Sequence, residues 1–303
     1  MKRVLALLLV TLLAAAACGG GSSGAGSGGS SGGESAADLL KASQQALKDA
    51  KSASFELTVS LKLDGNLQGA GPGAAFLQGP LSLSLKGQAG KADGNGAGKF
   101  DVHFALNFTG GSFSGEALSP DGKTAYIQMP TLLGPGWKSI DISKETGSSG
   151  STRSSNKSLD QLKALGLDPS QWLKNLEVST SGSTDTISAD LDIARIITDA
   201  SALSNSPIKP KDRKQLDELV SGIKTAHASE SFDHSTHLPS ALSAEFAVDI
   251  PADMQKDASG LTGLDLKVDA SFSDWNSDFT VTAPSGATPL DSGGLFGGLS
   301  QAA

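Results

Sequence analysis

The sequence predicts an α+β protein: one large curved antiparallel sheet of about ten to twelve strands, with helices packed on its concave apolar face. Three observations lead there. Apolar and polar residues alternate strictly in several runs, turn signals separate those runs, and a helical repeat of apolar residues is confined to a few segments.

The alternation is clearest early and late in the chain. Phe55, Leu57, Val59, Leu61 and Leu63 are interleaved with Glu56, Thr58, Ser60 and Lys62. Leu81, Leu83 and Leu85 alternate with Ser82, Ser84 and Lys86, and Phe100, Val102, Phe104, Leu106 and Phe108 with Asp101, His103, Ala105 and Asn107. Leu242, Ala244, Phe246, Val248 and Ile250 form a later series, followed by Leu264, Leu266, Val268, Ala270 and Phe272, and then by Phe279 and Val281. Period two with one polar face describes antiparallel strands wetted on one side. Weaker strands are expected near residues 113–118, 124–129, 137–142, 176–180, 186–193 and 228–232. Asp64-Gly65-Asn66, Asp93-Gly94-Asn95-Gly96, Pro120-Asp121-Gly122 and Gly134-Pro135-Gly136 mark turns.

Helices are few. Ser35 stands where it can cap a helix over residues 36–51, whose apolar side is Leu39, Leu40, Ala46, Leu47 and Ala50. Short helices are expected at 158–165 and, opened by Asp168-Pro169, through Trp172. Two longer ones follow, over 193–203 and from Pro210 to about Ala226, the second burying Leu216, Leu219, Val220 and Ile223.

The start of the chain has a different character. Lys2 and Arg3 precede an apolar run from Val4 to Leu13, then the small residues Ala14 to Ala17, then Cys18, the one cysteine of the 303 residues. The run is shorter than the about 20 residues that span a bilayer, and its layout is that of a cleaved signal over residues 1–17. AAAAC followed by GGGSSGAGSGGSSGG resembles the lipobox of bacterial lipoproteins, with Ala15 where leucine is usual; the resemblance implies acylation of Cys18. A diacylated cysteine supplies the two chains that stable anchoring needs. Residues 18–35 then read as the lipidated cysteine and a flexible Gly/Ser tether, 36–283 as a single domain and 284–303 as a flexible tail. The alternative is an ordinary secreted protein cut near Ala17.

Formal charge is −8, and loss of Lys2 and Arg3 with the leader takes it to −10. Such a surface argues against binding nucleic acid or anionic headgroups through bulk charge. Without a second cysteine, an exported domain has to be stabilised by its core and its sheet.

An N-terminal helix running into SASFELTVSLKL, the stretch AYIQMPTLLGPGWKSIDIS, the hairpin LEVSTSGSTDTISADLDI and the closing LPSALSAEFAVDI and LDLKVDASFSDWNSDFTVTAP together resemble the actinobacterial LppX/LprAFG lipoproteins. Those share the fold of the LolA and LolB lipoprotein carriers, a half-open antiparallel barrel closed by helices. The chain departs from the best-known members in its Gly-rich segment around 69–79 and its Ser-rich loop 146–158. The resemblance implies a hydrophobic cavity that holds the acyl chains of a lipid or lipoglycan. Its candidate lining is the inward series Leu57, Val59, Leu61, Val102, Phe104, Leu106, Ala244, Phe246, Val248, Leu266 and Val268. The same residues can equally pack a dry core at ordinary density.

Catalytic chemistry is scarce. Two GxSxG strings, at 20–24 and 28–32, lack the strand and helix that a nucleophile elbow requires. His234 and His237 in DHSTH read as a polar loop, and His103 falls on the wet face of its strand. Asp274, Trp275 and Asp278 read as a turn, and Trp137 and Trp172 as anchors between helix and sheet. No phosphate loop or cofactor fingerprint occurs, so no catalytic residue, metal or cofactor is expected. The expected function is a lipid-anchored protein on the extracytoplasmic face of the cell membrane that binds or transfers a lipid. The alternatives are a non-catalytic envelope interaction or structural lipoprotein with a filled core, and an extracytoplasmic hydrolase.

Overall fold

The computed structural model describes residues 34–66, 79–91, 98–143, 169–203, 210–256 and 260–290. It is mixed α+β, with one large, mostly antiparallel sheet of twelve strands and few helices. In chain order the elements are α1 (Ala36–Asp49), β1 (Ser52–Gly65), β2 (Leu81–Gly90), β3 (Lys99–Phe108), β4 (Gly111–Ser119), β5 (Thr124–Gln128), α2 (Pro130–Leu133) and β6 (Lys138–Asp141). A 3-10 turn (Pro169–Trp172) then leads into β7 (Leu173–Ser181), β8 (Thr184–Leu191), α3 (Ile193–Leu203), α4 (Pro210–Ser221), β9 (Ile223–Asp233), β10 (Pro239–Asp249), α5 (Ala252–Gln255), β11 (Leu261–Ser273) and β12 (Thr288–Pro289). The strand order is β12-β6-β5-β4-β3-β2-β1-β11-β10-β9-β8-β7, and the short β12 pairs with β6 in parallel.

The described residues divide into two compact units, one holding those within 34–49, 63–66 and 169–269 and the other those within 50–62, 79–143 and 270–290. In the first unit, Ser35 caps α1 as expected. Its Oγ accepts the Asp38 N–H at 3.2 Å, and its carbonyl accepts the Leu39 N–H at 2.9 Å. Ala36 and Leu39 of α1 pack on Ile187 and Phe232, which point from the sheet, with Leu40 against them. Leu47, expected on the apolar side of the helix, is 43% exposed. Trp172 is buried where the 3-10 turn meets α3, and its indole N–H donates to Asp199 Oδ2 at 2.8 Å; Arg195 Nε donates to the same oxygen at 3.0 Å. One buried carboxylate oxygen thus takes both the ion pair and the indole hydrogen bond.

Helix α3 has the expected bounds, whereas α4 ends at Ser221, not near Ala226. Gly222 stops it. A Cβ there would stand 2.2 Å from the Asp249 carbonyl oxygen, and the glycine carbonyl accepts the Asp249 N–H at 2.9 Å. The chain leaves the helix against β10, so Ile223, expected on the buried side of that helix, opens β9 opposite Val248.

In the second unit, β1 to β6 form a meander. Pro120-Asp121-Gly122 turns as expected: Asp121 Oδ1 accepts the Lys123 and Thr124 N–H groups, and these bonds hold its carboxyl below the usual range. The expected strand at Phe279 and Val281 is absent. Side chains tie that segment down instead. Asn276, in the left-handed region, accepts the Lys51 N–H on its Oδ1, and Lys99 Nζ donates to the Phe279 carbonyl while lying 4.6 Å from the Phe279 ring centre. The helix expected at 158–165 and the glycine strings of the tether lie outside the described residues.

The face assignments can be tested by charge insertion. Phe246→Asp buries an unpaired charge at a site 5% exposed and should cost about 4 kcal/mol or more. Val102→Asp, on a half-buried row, should cost clearly less, and His103→Ala on the outer face no more than about 0.5 kcal/mol. Urea unfolding followed by tryptophan fluorescence would rank the three; the reverse ranking would put the strand register off by one residue.

Candidate functional site

Antiparallel pairing places directly opposed side chains on one face, so the registers define rows. In the second unit Leu57, Leu85, Phe104 and Gly115 form one row across β1 to β4, and Val59, Leu83, Leu106 and Phe113 form the next. Phe55, Gly87, Val102, Ala117 and Ile127 form the row on one side, and Leu61 opposite Leu81 begins the row on the other. Glycine shapes this face at Gly115, where the Phe104 ring occupies the space of the missing side chain. Phe108 and Phe113, with ring centres 5.2 Å apart, close its end at the β3–β4 hairpin. All six candidate lining residues from β1 and β3, Leu57, Val59, Leu61, Val102, Phe104 and Leu106, lie on this face, and none is buried.

The other five candidates belong to the first unit and differ sharply. Ala244, Phe246, Leu266 and Val268 are each 5% exposed and Val248 6%. They are packed as core. One series of inward residues therefore divides into a covered half and a half-exposed half.

Two features of the first unit escaped the sequence pattern. Glu230 sits on the apolar face of β9, with Ile187 and Leu242 as its cross-strand neighbours and Ala228 and Phe232 before and after it on its own strand. Among the described residues its carboxyl has no hydrogen-bond or ion-pair partner, and burial raises its pKa to about 7. A sequence signal existed: in AHASESFD the glutamate has the parity of Phe232, which is 1% exposed.

The second feature is a buried carboxylate that holds a histidine. Asp185 is 3% exposed, accepts Thr180 Oγ1 at 2.6 Å and lies 2.7 Å from His234 Nδ1. The Thr180 bond, with help from His234, holds Asp185 below the usual carboxylate range, and the same contact raises His234. An aspartate orienting an exposed imidazole is two thirds of a hydrolytic triad. The neighbouring hydroxyls do not complete it: Ser235 and Thr236 are both bonded to Asp233 Oδ1, and these bonds depress Asp233 to about 2. His237 turns away to Glu34, 3.1 Å from its Nε2, and among the described residues DHSTH forms no cluster that could hold a metal. It is a loop, as its composition suggests.

Among the described residues no helix is long and apolar enough to cross a membrane. Compared with known proteins, the chain matches no protein-family model and no curated sequence.

The Glu230 environment predicts a pH-dependent stability. A glutamate raised from 4.5 to about 7 on folding carries no penalty below pH 4.5, where it is protonated in both states. Stability should fall as the pH rises from there through 7, by about 3 kcal/mol in all. Chemical unfolding at pH 5 and pH 8 should show this loss in the wild type and not in Glu230→Gln; equal losses in both would place the ionisation elsewhere.

Proposed function

We propose that the chain is a lipid-anchored extracytoplasmic lipoprotein of the cell membrane that binds or transfers a lipid, with acyl chains lying on the apolar face of β1 to β4. The observation that carries this reading is the contiguous set of half-exposed Leu, Val and Phe rows on that face. Apolar rows that stay only part-covered offer a surface on which an apolar ligand can lie. Rows of Leu, Val and Phe suit flexible acyl chains, which need contact area and few polar partners. The half-open barrel closed by helices, implied by the likeness to the LppX/LprAFG lipoproteins, is the finer form of the fold proposed here, and lipidated Cys18 with its Gly/Ser tether is the proposed anchor.

A second reading, an envelope interaction or structural lipoprotein with a filled core, is favoured by the other half of the lining series. Ala244, Phe246, Val248, Leu266 and Val268 are all as buried as ordinary core.

Native mass spectrometry of the domain purified from its own envelope separates the two. Wild type should carry lipid. Leu85→Glu should lose it at a smaller cost in melting temperature than Phe246→Asp, because its position is only half-buried, whereas Ala244→Phe should cost about 1–3 kcal/mol by overpacking and keep it. Absence of lipid from the wild type, or its retention in Leu85→Glu, would favour the second reading.

The anchor has its own test. Cys18→Ala should release the protein into the soluble fraction, since acylation there is the proposed attachment; a variant that stays with the membrane in high salt would exclude it.

A further inference from the structure

The outer face of the second unit holds an arrangement that the lipid reading does not use. Glu56, Lys86, His103, Glu116 and Gln128 stand opposite one another across β1 to β5. Lys86 is paired with Glu56. Two carboxylates are then left around one imidazole: Glu116, the cross-strand partner of His103, and Asp101, two residues before it on the same face of β3.

The distances show that these groups do not satisfy one another. His103 Nε2 lies 4.0 Å from Asp101 Oδ1, and its Nδ1 lies 3.9 Å from Glu116 Oε2. Both separations are too long for a hydrogen bond. Yet one ligand-type atom from each of the three residues lies within 4.8 Å of the other two. A second observation is independent of that clustering. Although the Asp101 side chain is 39% exposed, its Oδ1 is closed off from solvent and has no hydrogen-bond partner, whereas nearly all buried acceptors have one. An anionic oxygen in that condition lacks a cation or a donor.

We propose that Asp101, His103 and Glu116 bind a first-row divalent cation of the zinc type. Asp101 Oδ1, one ring nitrogen of His103 and one Glu116 oxygen are the ligands, and water completes the shell. The mixed nitrogen and oxygen donor set selects zinc or its neighbours over calcium and magnesium, which take oxygen alone. Zinc bonds of about 2.0–2.2 Å put neighbouring ligands about 3–4 Å apart. Small rotations of two carboxylates supply the difference, and neither is bonded elsewhere among the described residues. Two open depressions of about 480 and 590 Å³ share Lys86 and His103, which leaves room for the water ligands. The His103 side chain is 65% exposed, so this is a surface site, and its variants should fold normally.

Isothermal titration of the untagged mature chain with zinc chloride, read together with imidazole NMR, tests the assignment. Four histidines make the spectrum assignable. Zinc should bind once and shift the His103 resonances while leaving His227, His234 and His237 in place. His103→Ala and Glu116→Gln should each weaken binding at least about tenfold, with unchanged melting temperature in the absence of metal. Magnesium should not compete. The site is overturned if no heat appears up to about 1 mM zinc, if His103→Ala binds as tightly as wild type, or if the resonances that move belong to the other histidines.

Discussion

The antiparallel ladder is the constraint on which the rest of the molecule depends. With one cysteine in the chain there is no disulfide to hold strands in place, so pairing register alone decides which side chains face together. In β1 to β4 the registers run without a shift, and this continuity assembles the Leu, Val and Phe rows on one side and the Glu, Lys, His and Glu row on the other. Both proposals, the acyl face and the cation site, are products of the same pairings read from opposite sides of the sheet.

Helix distribution explains why one alternating pattern has two outcomes. The described helices longer than one turn, α1, α3 and α4, all belong to the first unit, and there the inward residues are buried. In the second unit the one described helix is Pro130–Leu133, and the corresponding rows stay half exposed. Strand sequence is silent on this difference, because Leu57 and Leu266 obey the same period whether or not a helix lies over them. Coverage is a tertiary property, and period two reports only which face a residue occupies.

The same logic separates what the sequence revealed from what it hid. The main alternating runs became strands, and α3 has its expected bounds, since each was encoded by many residues in agreement. Helix α4 was over-extended because Leu216, Leu219, Val220 and Ile223 continue a helical spacing, while one glycine, pressed against the Asp249 carbonyl, ends it. Phe279 and Val281 alternate like a strand, but their segment is held through Asn276 to Lys51 and through the Phe279 carbonyl to Lys99, more than 170 residues away in sequence. The grouping of Asp101 with His103 was visible on β3, but Glu116 joins them only once the β3–β4 register is known. Glu230 was hidden by the serines and alanines around it, which blur the period of β9.

Strand β7 ends the strand order, and all but its first residue are exposed. Its pairing with β8 is interrupted between Lys174 and Glu177, where Asn175 adopts a left-handed backbone and its amide donates to Asp190 Oδ2. That irregularity has a colloidal meaning. A straight, uninterrupted terminal strand would offer its outer backbone groups to another molecule in regular spacing, the first step of edge-to-edge fibrillation. Under the proposed lipid anchor the chain would be concentrated in a two-dimensional layer and would meet its neighbours edge to edge far more often than in bulk, and there a misaligned outermost strand would disfavour such pairing.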